Sequence, residues 1–71
     1  MIMLTDVDFR ERDIYIDFPY ERAKFRWEKD TEKVYRRFYG EEEVEIPETS
    51  NLFEQAIQAG KLIGREDYFQ D

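Results

Sequence analysis

Two groups of side chains have the types and spacing to do chemistry. The first is a run of carboxylates: Glu41, Glu42 and Glu43, with Glu45 and Glu48 close behind. Such a run can dock the basic surface of a partner protein, imitate a nucleic-acid backbone, or hold a cation. The cation reading is the weakest of these. Calcium loops space their oxygen ligands and usually carry a glycine, and the D-x-[DN]-x-[DN]-G pattern is absent. The run also suits a solvated sheet edge whose charge blocks edge-to-edge aggregation. The second group is basic and aromatic. Tyr35, Arg37 and Tyr39 alternate along one predicted strand face, with Lys24 and Arg26 expected beside them. Sheets that present rings among cations can stack single-stranded bases while neutralising phosphates. The plain alternative is an outer sheet face on which long stems cover apolar surface.

Catalysis lacks its usual parts. The chain has no histidine for general acid–base work and no cysteine nucleophile. Thr5, Thr31, Thr49 and Ser50 are the only hydroxyls besides tyrosine, and none sits in a nucleophile motif such as G-x-S-x-G. Three isolated glycines make no phosphate-cradling loop. No carboxylate pair is singled out among the 18 acids. The expectation is a protein that is not an enzyme and that uses neither metal nor cofactor.

Charge is distributed unevenly. From Met1 to Tyr39 nine acidic and nine basic residues cancel, whereas from Gly40 to Asp71 nine acids face only Lys61 and Arg65. The whole net charge of −7 therefore falls in the C-terminal part, and the segment from Arg22 to Arg37 is locally basic. Polarisation of this kind governs association and not fold. An overall −7 opposes nucleic-acid affinity, and no ribonucleoprotein motif is present.

These groups need elements to position them. Seventy-one residues make a single small domain, 1–71, and 12 of them are aromatic, so a core built largely from rings is expected. Asp13–Phe18 alternates with period two and reads as a strand ended by Pro19. Ile2, Leu4 and Val7 permit a weaker strand before it, with Phe9–Arg12 as the connection. The segment Ala23–Tyr39 is the clearest hairpin. A turn centred on Asp30 and Thr31 sets Trp27 opposite Val34, Glu28 opposite Lys33 and Ala23 opposite Phe38. That register also puts Arg36 near Phe25 on the apolar face, a fault that a bulge or strand end would relieve. Glu41–Ile46 can add an arm with Val44 and Ile46 inward. Thr49, Ser50 and Asn51 then supply cap residues for a helix of about 51–59, with Leu52, Phe53, Ala56 and Ile57 as its apolar stripe. Gly60 is placed as the C′ glycine, Leu62 and Ile63 fold back on the core, and the last residues add a short helical turn.

The expected fold is thus α+β: an antiparallel sheet of three to five strands around the hairpin of about 23–39, with the C-terminal helix packed on one face. Trp27 and Phe53 should lie in its core. The longest apolar run is Met1–Leu4, against the ~20 residues a membrane span needs. Absence of cysteine is compatible with a reducing compartment, and a bacterial or phage cytoplasm is the expected location. The favoured function is a small acidic regulatory protein that binds a protein partner with a basic surface, as a monomer or homodimer. The alternatives are a nucleic-acid-binding module using the hairpin of 22–39, and an acidic nucleic-acid mimic that inhibits a DNA-binding protein. Geometry separates these readings. Two charged groups far apart would be two surfaces, whereas two groups in contact would be structural.

Overall fold

A computed structural model describes residues 6–70. It contains five strands, β1 (Ile14–Phe18), β2 (Ala23–Glu28), β3 (Lys33–Phe38), β4 (Val44–Ile46) and β5 (Lys61–Ile63). Three α-helices accompany them, α1 (Asp6–Glu11), α2 (Asn51–Ala59) and α3 (Arg65–Phe69), with a 3₁₀ turn at Pro19–Glu21 between β1 and β2. The strands form one sheet in the order β4-β3-β2-β1-β5, and every neighbouring pair is antiparallel. This is the small antiparallel α+β architecture that the alternation and the late helical stripe imply.

The central hairpin has the register that its side chains predict, with Trp27 opposite Val34 and Ala23 opposite Phe38. Phe25 stands opposite Arg36 and the pairing runs through without a bulge, so Arg36 stays on the apolar face. The segment before β1 differs from expectation. Ile2 and Leu4 lie outside the described residues, but from Asp6 the backbone is helical and not extended. Asp8 and Arg12 pair one turn apart at 3.3 Å, and Phe9 meets Trp27 edge-on at 5.6 Å between ring centroids. The helix also brings the Phe9 carbonyl to 2.7 Å from Trp27 Nε1, which satisfies an indole donor at the core margin.

One face of the sheet makes the main core. Ile14, Ile16, Phe25 and Val34 are almost wholly buried there, and Trp27 is nearly so at 9% exposure. Phe53 and Ala56 of α2 close over them, with Phe53 and Phe25 6.0 Å apart between centroids. Leu52 and Ile57, the rest of the expected stripe, pack half-buried at its rim. Ser50 occupies the N-cap position of α2 without a side-chain cap bond. Gly60 follows the helix, though not in the left-handed conformation expected of a C′ glycine; its φ is −80°. It is glycine because of close approach. A Cβ there would stand 2.5 Å from the Ala56 carbonyl oxygen and 2.6 Å from Ile16 Cγ2, where the chain leaves α2 to pair β5 with β1.

Candidate protein-docking surface

The strand residues that alternate with the core positions point to the opposite face, where α3 lies across β1 and β2. Tyr68 anchors that helix. It is fully buried and packs 5.5 Å from Tyr15. Around it both sequence-predicted groups come together.

Arg26 is the hub. It sits opposite Tyr35 on β3, with its guanidinium 4.1 Å from the Tyr35 ring centroid. It donates to Glu43 through Nε at 3.2 Å and Nη2 at 2.8 Å, and through Nη1 to Glu28 at 2.8 Å. Tyr68 OH donates to the same Glu43 carboxylate at 2.9 Å. Burial by itself would raise the Glu43 pKa, but the bonds from Arg26 and Tyr68 outweigh it and hold the carboxyl below its usual range. The Tyr68 hydroxyl is pushed well above its ordinary value, first by burial and then by Glu43.

The remaining cations are also committed inward. Lys24 Nζ donates to the main-chain oxygens of Asp67 and Gln70, both at 2.5 Å. Arg37 Nη1 approaches the oxygens of Tyr68 and Gln70 at 3.5 Å. Both therefore serve the C-terminal end of α3, where helix carbonyls favour positive charge. Tyr39 OH donates to Asp17 at 2.5 Å; burial and that carboxylate push its pKa up to about 12. Of the rings and cations expected to stack bases and neutralise phosphates, Lys24 and Arg37 thus hold the end of α3, Arg26 lies on Tyr35 and binds Glu43 and Glu28, and Tyr39 binds Asp17. Sequence patterning alone missed this helix's role, although the adjacent rings of Tyr68 and Phe69 near the chain end were its signal.

The acidic run divides in two. Glu43 belongs to the Arg26 network. Glu45 makes a long 3.7 Å pair with Lys33 in which both side chains are about half exposed, an arrangement of little energetic value. Glu41, Glu42 and Glu48 are exposed. Gly40, with φ +75°, turns the chain after β3 and presents Glu41 and Glu42 at the lip of a shallow cleft. Arg37, Glu43 and Phe69 complete its lining, and Phe69 is 47% exposed. The two charged groups therefore touch through Arg26 and Glu43, leaving an acidic and partly apolar rim facing outward. Among the described residues no cluster of carboxylates is arranged to hold a metal ion, and no helix is long and apolar enough to cross a membrane.

Similarity to known proteins supplies the family. The Tis1 immunity protein family matches residues 1–71. The chain belongs to that family. The immune protein Tis1 of Pseudomonas aeruginosa (strain UCBPP-PA14) is 40% identical over 62 residues, spanning 84% of this chain and 80% of that protein. A chain in the crystal structure of the complex between the type VI effector Tas1 and its immunity protein has the same fold. It superposes with a TM-score of 0.86 at 36% identity, covering 96% of this chain and 91% of that one.

Proposed function

We propose that this protein is a non-enzymatic immunity protein that binds a type VI effector and blocks it by occupancy. The carrying observation is the fold shared over 96% of the chain with a protein from an effector–immunity complex. The chemistry agrees. Glu41 and Glu42 carry charge outward beside the exposed Phe69, and Glu48 is exposed further along the same acidic segment. A basic effector surface is the complement of that rim, and long-range attraction chiefly speeds such encounters. This keeps the expectation of a partner with a basic surface and sets Glu43, engaged by Arg26, apart from the four exposed glutamates. The acidic nucleic-acid mimic is disfavoured because Glu43 and Glu45 are turned onto Arg26 and Lys33.

The test is capture from the producing bacterium with tagged protein, followed by expression of the captured protein in a bacterial host with and without this chain. The expected result is a toxic effector whose toxicity disappears on co-expression. A captured protein that is harmless, or whose toxicity persists beside this chain, overturns the proposal.

A further inference from the structure

Every strand residue on the face covered by α2 is apolar except Arg36. Arg36 stands between Phe25 on β2 and Val44 on β4, with its guanidinium 4.5 Å from the Phe38 ring centroid. Its Nε is buried and has no hydrogen-bond partner. Arg26, on the other face, has two carboxylates and a ring. One guanidinium N–H of Arg36 is therefore buried without an acceptor, a cost that the Phe38 ring beside it offsets only in part.

The surroundings of Arg36 are open. α2 packs over β1 and reaches β2 through Phe53, and β4 is the last strand of the sheet on that side. Val44 is 47% exposed, while Phe38, Ile46 and Arg36 itself are half-buried. The result is a small apolar patch at a free sheet edge with one positive charge in it. An arginine fork in such a setting matches a carboxylate, and apolar neighbours that exclude water strengthen the pairing.

We propose that Arg36, Phe38 and Val44 form a second contact surface for the effector, where Arg36 receives a carboxylate from an acidic segment flanked by apolar side chains. This rests on the immunity reading above. It makes recognition two-signed: the glutamate rim takes basic groups, and the β4 patch takes an acidic one. A partner must then match both, which discriminates between effectors better than a single charged rim does.

The experiment measures binding of the captured effector to full-length wild type, Arg36→Met and Arg36→Lys by calorimetry, with urea melts of each. Methionine keeps an unbranched stem over Phe38 and removes the charge. The expected result for Arg36→Met is an unfolding midpoint equal to or above wild type, with affinity reduced about tenfold or more. Arg36→Lys, which keeps the charge but not the fork, should recover only part of that loss. If Arg36→Met fails to fold, Val44→Asp places a like charge against the acidic segment and should weaken binding in the same direction. Unchanged affinity in Arg36→Met, or in Val44→Asp where that variant stands in, overturns the assignment and leaves Arg36 a stem reaching for water. A change confined to self-association in sedimentation does so too, and makes the patch a contact between copies. Failure of wild type to bind the effector overturns the immunity reading itself, a different result from wild-type binding that Arg36→Met does not disturb.

Discussion

The two faces of the sheet solve the same problem by different chemistry. On the face under α2, order comes from area: rings and branched aliphatics interdigitate, and nothing there depends on protonation. On the face under α3, order comes from a polar network in which Arg26, Glu43, Glu28 and Tyr68 share hydrogen bonds and Lys24 and Arg37 hold the end of the helix. Arginine shows the difference most clearly. Ten residues apart in sequence, Arg26 is saturated with acceptors while Arg36 has an orphaned Nε among hydrocarbon. A charge on the polar face completes a hydrogen-bond network; the charge on the apolar face has a ring beside it and one donor left over.

The largest effects should come from the apolar face. Phe53→Ala or Trp27→Ala should each cost about 3–5 kcal/mol, through lost transfer energy and the cavity left behind. A domain this small has about 5 kcal/mol to lose, so either variant should be substantially unfolded in water, as urea melts will read. Melts resembling wild type would end the view that area holds this face together. Gly60→Ala tests the same face sterically. The added methyl meets the Ala56 carbonyl and Ile16, and should cost about 3 kcal/mol by forcing α2 and β5 apart.

Changes on the polar face should be smaller. Glu43→Gln removes the carboxylate shared by Arg26 and Tyr68; with Arg26 at 11% side-chain exposure and Glu28 still present, the cost should be about 1–2 kcal/mol. A loss as large as that of Phe53→Ala would make the network, and not the core, the main support of α3.

The network should also titrate, and the apolar face should not. The Glu43 pKa is depressed in the folded state, so its contribution is present above the ordinary carboxylate pKa and is lost as pH falls through the lower folded value. Stability should therefore decline on acidification below about pH 4.5, and Glu43→Gln should flatten that decline. An unaltered acid limb in the variant would show that Glu43 is not the titrating group. At the alkaline end the sign reverses. Tyr39 keeps its proton more tightly when folded, so its contribution is complete below the ordinary phenol value near 10 and fades as pH rises towards about 12. Tyr39→Phe should shallow that alkaline limb.

The smallest stability effect belongs to the rim. Glu41→Gln with Glu42→Gln should move stability by no more than about 0.5 kcal/mol, since both side chains point to solvent. Effector association should nevertheless slow and lose part of its salt dependence. A marked loss of stability would move these two residues from the rim into the network.

Much of the fold was legible beforehand because its signals are local. Period-two alternation marked β1 to β3, and the change of period at Asn51 marked α2. The hairpin register followed from chemically sensible pairs such as Glu28 with Lys33. The first helix was misread because Val7 and Phe9 fit a strand as well as a helix, and what favours the helix is the Trp27 indole, 18 positions beyond Phe9. Gly60 reads locally as a C′ glycine, but its need is set by close approach to Ala56 and to Ile16, on a strand that local patterning does not see. For the candidate surface, sequence placed five glutamates together but could not divide them.

The sequence by itself determined which residues share a face. Strand alternation is imposed by backbone geometry, so Lys24 and Arg26 share a face of one strand, Tyr35 and Arg37 share a face of the other, and the register that sets Glu28 opposite Lys33 puts both pairs on one side of the sheet and Arg36 on the other. It also determined where the net charge lies and which catalytic groups are missing. Only the tertiary structure decided which charges are spent. Long-range closure brings α3 back across β1 and β2, engages Glu43, Lys24 and Arg37, and leaves Glu41 and Glu42 exposed at the cleft. Pairing of charges depends on distances of a few ångströms between residues as many as 46 positions apart, which no local pattern encodes.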